Sequence, residues 1–182
     1  LAGVFRECPG AAIHLLGHGN NIILSQPFYD TAHRFVCLRF LETGIHVAGP
    51  ALRAGAGARL RDVCRLAART GLSGLEKLWD IPGSIGGAAV MNAGAYGGSF
   101  HDAVESVTAF FPGTGAVHDL SRDQCRPAYR TTVFQGSDAV VTEVRLRLTP
   151  DDPARILGEM GRIGKLRRGK LPYNLPSAGS VF

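Results

Sequence analysis

The chain has 182 residues, 45% of them apolar, and a formal charge of +5, which is enough apolar material for one substantial core or two small lobes. No apolar run approaches the roughly 18 residues needed to span a bilayer and no charged-then-apolar leader opens it, so a cytoplasmic protein with no membrane partner is expected. The charge allows nucleic-acid binding, but the arginines are scattered and not interleaved with aromatics, and small anionic ligands such as nucleotides explain the positive excess as well.

Residues 1–8 have the composition of a helix end, and Pro9-Gly10 a break. Residues 11–16 form an apolar run of buried-strand length that feeds Gly17-His18-Gly19-Asn20-Asn21 and then a second apolar run, 22–24. Strand, glycine turn, strand places the N–H groups of the turn at one end of a sheet. Residues 35–40 and 45–48 read as paired strands joined through Glu42-Thr43-Gly44, and 53–57 leads into a helix. Within 59–70, Leu60, Val63, Cys64 and Ala67 share one helical face, with Arg59, Arg61, Arg65 and Arg69 on the solvated side. Gly71 is the expected stop.

Residues 71–98, GLSGLEKLWDIPGSIGGAAVMNAGAYGG, are dense in glycine and almost uncharged, yet sit between a helix and a strand. Glycine at this density implies backbone that reaches φ > 0 and approaches another group closely. A tight crossover between two packed layers would use a Gly-Gly pair this way. The whole run, with Ser84 and Asn92 as hydrogen-bonding groups, favours a large ligand, with consecutive N–H groups of residues 81–87 meeting an anionic oxygen.

Beyond it, residues 104–111 and 116–120 make a β-hairpin around Pro112-Gly113-Thr114-Gly115. In residues 139–148, Val144, Leu146 and Leu148 alternate with Arg145 and Arg147, the mark of a sheet with one wet face. Asp152-Pro153 is a helix start. Ile156, Leu157, Met160 and Ile163 keep helical spacing against Gly158, Gly161 and Gly164, and cations crowd the helix end. Cys8, Cys37, Cys64 and Cys125 form no CxxC or Cys/His cluster, so neither a metal site nor a disulfide scaffold is expected.

Five segments, in order, carry a family resemblance. GLSGLE at 71–76 followed by IPGSIGGAAVMNAGAYGG at 81–98 resembles the flavin-binding core of the UDP-N-acetylenolpyruvoylglucosamine reductase family of peptidoglycan precursor synthesis. The turn at Gly17 resembles its G-x-G-S-N turn, with Asn20 in the Ser position. Tyr129-Arg130-x-x-x-Phe134 resembles Y-R-x-S-x-F, with Thr132 for Ser and an atypical Pro127 upstream. Arg167-x-x-Lys170-x-Pro172 resembles R-x-x-K-x-P, and Ser177-Ala178-Gly179-Ser180-x-Phe182 resembles S-A-G-S-x-F.

The resemblance implies an α+β fold: a two-lobed FAD-binding domain of the PCMH (vanillyl-alcohol-oxidase-like) type over 1–148, lobes 1–43 and 44–148, then a connecting helix and the start of a substrate domain over 149–182. It implies FAD as cofactor, NADPH as hydride donor and a UDP-sugar substrate; a monomer is expected, with the oligomeric state left open by the sequence. The cofactor-binding residues it implies are Gly17, His18, Gly19, Asn20, Asn21, Ile81, Pro82, Gly83, Ser84, Gly86, Gly87, Asn92, Ala93, Gly94, Ala95 and Tyr96. Tyr129, Lys170, Ser177 and Gly179 meet the substrate, Arg130 stabilises an enolate, and Ser180 donates the proton. His101, near the isoalloxazine, is expected to be a solvated loop residue and the flavin to be non-covalent. A chain opening without Met and stopping after a motif is expected to be a piece of a longer enzyme, lacking a family Glu near its C-terminus. The alternatives are another FAD oxidoreductase of this fold, such as an oxidase of small alcohols, and a catalytically decayed relative.

Overall fold

The computed structural model describes residues 1–7, 11–22 and 35–170. In chain order these hold α1 (Ala2–Glu7), β1 (Ala12–Leu16), β2 (Phe35–Arg39), β3 (Ile45–Ala48), β4 (Ala51–Gly55), α2 (Leu60–Arg69), β5 (Leu72–Ser73) and α3 (Ile85–Val90). They continue with β6 (Gly94–Ala95), β7 (Gly98–Ser99), a 3-10 turn at Phe100–Asp102, β8 (Val104–Phe111), β9 (Ala116–Ser121), β10 (Val140–Arg147), β11 (Thr149–Pro150) and α4 (Pro153–Arg168). The fold is α+β. A five-stranded antiparallel sheet in the order β3-β4-β10-β8-β9 is its centre, and β1 and β2 form a separate parallel pair.

The core follows from the alternation of the strands and the apolar faces of the helices. Leu52, Ala54, Val107, Val144 and Leu146 face inward from the sheet and are buried with Leu60, Val63 and Ala67 of α2, Ile85 and Ala89 of α3, and Ile156 and Met160 of α4. In α2 the face set by the sequence spacing is buried, joined by Ala68, and Gly71 follows at φ 70. No helix among the described residues is long and apolar enough to cross a membrane.

The expected pairing of residues 35–40 with 45–48 does not occur. β2 runs parallel to β1, from Ala12 opposite Phe35 to Leu16 opposite Arg39, and β3 pairs with β4. The reason lies in the segment between them. Glu42 and Gly44 do not turn the chain back, because their carbonyls accept from the amides of Gly57 and Gly55, each at 2.9 Å. That approach requires glycine: a Cβ at Gly57 would lie 2.5 Å from the Phe40 oxygen.

α4 starts where expected, the Asp152 side chain accepting from the Ala154 amide at 2.9 Å with Pro153 in the first turn. Its three glycines differ in kind. A Cβ at Gly164 would meet Trp79 Cζ2 at 2.8 Å, whereas at Gly158 and Gly161 there is open space. Gly158→Ala and Gly161→Ala are each expected to stabilise the chain by about 1 kcal/mol, raising the thermal midpoint by about 2–4 °C apiece. Gly164→Ala should lower it. Thermal melts followed by circular dichroism check the sign at all three positions, and a loss at Gly158 or Gly161 would contradict the packing described.

Candidate functional site

Two glycine turns meet at the site. The turn after β1 brings Gly17 so close to the loop before α3 that a Cβ on it would lie 2.7 Å from Ser84 Oγ. Ser84 caps α3, its Oγ accepting from the Gly87 amide at 3.2 Å. The loop is hung from residues 56–60: Ile85 and Gly86 donate to the carbonyls of Ala58 and Ala56 at 2.8 and 2.9 Å, and Leu60 donates to Gly83 at 3.0 Å.

This hanging narrows the anion-facing surface expected from the sequence. The amides of Ile85, Gly86 and Gly87 are engaged internally, Ile81 donates to Leu78 at 2.9 Å, and Pro82 has no N–H. Among the described residues, the amides of Gly83 and Ser84 and those of His18, Gly19, Asn20 and Asn21 meet no acceptor. They form two short runs of free N–H on adjoining turns. Asn20, where the family turn has serine, is exposed.

The second half of the site is the β6–β7 hairpin. Its turn residues Tyr96 and Gly97 have φ of 52 and 75, the left-handed pair that matches strand twist in two-residue hairpins. Asn92, also left-handed at φ 41, is buried. Its Nδ2 donates to Ala128 O at 2.9 Å and its Oδ1 accepts from the His101 amide at 3.1 Å. The Asn92 side chain is thus a clamp between two loops. Ala93, Gly94, Ala95 and Tyr96 are half-buried.

Arg130 reaches this hairpin. Its backbone has φ 56, and its Nη2 and Nη1 donate to the carbonyls of Gly94 at 2.5 Å and Asn92 at 3.4 Å. The guanidinium carbon lies 5.3 Å from the Tyr129 ring, which is largely exposed. Gln135 Nε2 donates to Arg130 O at 2.9 Å, and Thr132 Oγ1 donates to Val90 O at 2.7 Å. Thr132 therefore makes with its hydroxyl a bond that serine could make. Non-glycine residues in the left-handed region cost about 1–3 kcal/mol each and persist where their surroundings over-determine them. Asn92, Tyr96 and Arg130 are three such residues gathered at one hairpin.

His101 is buried, not the solvated loop residue expected from the sequence. The loop folds inward because Phe100 and Ala103 seal it into the core, Phe100 donating to Ala93 O at 2.7 Å. His101 Nε2 faces Ala89 O at 2.8 Å and Nδ1 has no partner, so the neutral ring fits and the imidazolium does not. Burial lowers its pKa below the ordinary histidine value, aided by Arg122 and opposed by the Ala89 carbonyl and Asp102. An unfolded chain binds the proton first as pH falls through about 6.5, so this stability is complete above that pH and is lost on acidification towards the depressed folded pKa. Melts between pH 7.5 and 5 should show it, and His101→Gln should flatten the decline; equal slopes would count against the histidine as its source.

Lys170 is exposed just past α4, beside an open groove lined by Arg162, Lys165, Leu166 and Gly169. Ser177, Gly179 and Ser180 lie outside the described residues. Of the cysteines, Cys64 and Cys125 are buried, and burial pushes the Cys125 thiol up to about 11, which suits inert packing residues. Asp80 and Gln135 carry no motif signal in the sequence.

A parallel strand pair and an antiparallel sheet that bring two glycine turns together with free amides suit the phosphates of a large nucleotide ligand. The FAD binding domain family matches residues 2–121. The UDP-N-acetylenolpyruvoylglucosamine reductase of Exiguobacterium sibiricum is 38% identical over 169 residues, covering 92% of this chain and 54% of that protein. Among solved structures, UDP-N-acetylenolpyruvylglucosamine reductase from Thermus caldophilus superposes with a TM-score of 0.79 at 32% identity, over 98% of this chain and 64% of that one. 6-Hydroxy-D-nicotine oxidase from Arthrobacter nicotinovorans gives 0.54 at 25% identity, over 78% and 32%. The chain belongs to the FAD-binding family and, within it, to the UDP-N-acetylenolpyruvoylglucosamine reductase family. It spans about half the length of the curated relatives it matches.

Proposed function

We propose that this chain is the flavin-holding part of an NADPH-dependent reductase that converts UDP-N-acetylglucosamine enolpyruvate to UDP-N-acetylmuramate in the cytoplasm. The observation that carries the reading is Arg130, an exposed guanidinium held by two carbonyls onto the Asn92–Tyr96 hairpin, in a chain that also brings free amides together on two adjoining turns.

The free amides fit a pyrophosphate, being short, adjoining and uncompensated. Residues 1–43 and 44–148 would be two lobes with FAD between them, the backbone of Gly17 to Asn21 and of Ile81 to Gly87, through Gly83 and Ser84, holding the phosphates. Asn92, Ala93, Gly94, Ala95 and Tyr96 would flank the isoalloxazine. FAD, when bound, supplies the hydride chemistry. Arg130 would stabilise the charge that develops on the enolpyruvyl carboxylate, its fork held before the substrate arrives. Tyr129 would border the sugar, and Lys170 would meet the nucleotide phosphates. Ser180, flanked by Ser177 and Gly179, would hand a proton to the α-carbon.

The test has two stages. The chain mixed with FAD and passed through gel filtration should elute yellow, with the colour released into the supernatant by acid. A form extended to the length of the relatives should then turn over NADPH, beyond the one equivalent that reduces the flavin, only when the enolpyruvyl substrate is present. NADPH consumption indifferent to that substrate, or reduction of oxygen with a small alcohol instead, would sink the assignment.

A further inference from the structure

Asp80 stands directly before Ile81-Pro82-Gly83-Ser84 and is buried at 5% exposure. Its Oδ1 accepts from Arg61 Nη2 at 2.6 Å, and its Oδ2 lies 3.7 Å from Arg167 Nε. Arg61 is in the first turn of α2 and Arg167 in the last turn of α4. The neighbouring Trp79 has the guanidinium carbons of Arg61 and Arg65 at 5.7 and 5.9 Å from its ring centre, and packs against Gly164 of α4. Residues 79 and 80 are therefore a joint where two helices and the loop before α3 converge.

We propose that Asp80 is a positioning residue: its carboxylate, gripped by Arg61 and Arg167, fixes the free amides of Gly83 and Ser84 relative to the end of α4 that carries Lys170. The proposal rests on the flavin and nucleotide-sugar reading of the site. A buried carboxylate is costly unless paired, and breaking such a pair from one side leaves uncompensated charge. Here the loss of Asp80 would leave the guanidiniums of Arg61 and Arg167 without the carboxylate that each approaches. Arg167 Nε has no hydrogen-bond acceptor among the described residues, so its attraction to Asp80 is what orients it. Lys170 follows at once, its amide donating to Arg167 O at 3.0 Å. Hydrophobic residues could fill this joint at least as stably. What the ionic joint adds is orientation, a directional hydrogen bond from Arg61 to the loop and the charge attraction of Arg167 from α4.

The measurement is FAD affinity of this chain by flavin fluorescence titration, with Asp80→Asn, Arg167→Gln, the double variant, and Val144→Ala as a core control distant in sequence. Asp80→Asn should weaken FAD binding by about 10-fold, the size expected when a hydrogen bond to a charged group is lost, and Arg167→Gln, which removes an ion-pair contact only, by severalfold. The double variant should bind no more weakly than Asp80→Asn alone, because both act through one pair. Hydrogen exchange at Ile85 and Gly86, whose amides hang the loop from Ala58 and Ala56, should quicken in each variant while Val144→Ala, though less stable, keeps its FAD affinity. Additive losses, unchanged affinity, or equal weakening by the core control would overturn the positioning role. If Asp80→Asn does not fold, Arg167→Gln decides alone, because it leaves the Asp80–Arg61 pair in place. An unmodified chain that binds no FAD would overturn the flavin reading together with the inference; FAD binding with an additive pattern would overturn only the inference.

Discussion

Arg130→Ala, in a form extended to the length of the relatives, is expected to slow reduction of the enolpyruvyl substrate by about 10²–10³-fold, the range for removing one preorganised donor from a developing oxyanion. Flavin reduction by NADPH, which develops no charge on that carboxylate, should change little. The arginine also fastens the carbonyls of Gly94 and Asn92, so its loss loosens the hairpin. Arg130→Lys separates the two effects, since lysine keeps the charge but not the rigid fork. An intermediate rate for Arg130→Lys with FAD affinity retained in both variants would locate the defect in the second half-reaction. Equal slowing of both half-reactions in stopped-flow absorbance would reassign Arg130 to holding the hairpin.

Local signals made the elements legible and left several partners hidden. α2 could be read because its apolar residues repeat at helical spacing and Gly71 ends it, and α4 because Asp152-Pro153 starts it. The β8–β9 hairpin is announced by its Pro-Gly turn, and the alternation of β10 marks its wet face. β4 carries no local strand signal, because ALRAG is mostly small residues, and its strand character comes from burial between β3 and β10. The parallel pairing of β1 with β2 joins segments with no hairpin turn between them, and a parallel partner leaves no mark in the local sequence.

At the site, glycine density located the loop before α3 but could not say which amides stay free. That depends on Ala56 and Ala58, whose carbonyls occupy two of the N–H groups expected to meet a ligand. The arginines of α2 read as a solvated face, and Arg61 is indeed half exposed, yet its guanidinium is held on Asp80. Asp80 has no motif and no periodicity to expose it. Its partners stand 19 and 87 residues away in the chain. Thr132 looked like a departure from the family pattern; its bond to Val90 O shows that the position asks for a hydroxyl, which serine and threonine both supply.

Ser180 carries the largest expected effect on rate. Only the second half-reaction delivers a proton to carbon, so Ser180→Ala in the extended form should leave reduction of the flavin by NADPH nearly intact while slowing enolpyruvyl reduction by about 10²- to 10⁴-fold. That corresponds to roughly 2.7 to 5.4 kcal/mol in the barrier. The substitution removes one hydroxyl, and Ser180→Cys, which keeps a proton on the side chain, should retain part of the rate. Arg130 and Ser180 would act in the same step, one on the carboxylate and the other on the α-carbon. Their double variant should therefore lose less than the product of the two single losses, as residues that act as a unit do. Stopped-flow traces of the four proteins read both half-reactions at once. Multiplicative losses would mean that the two groups act independently, and a Ser180→Ala trace matching the unmodified enzyme would move the proton donor elsewhere.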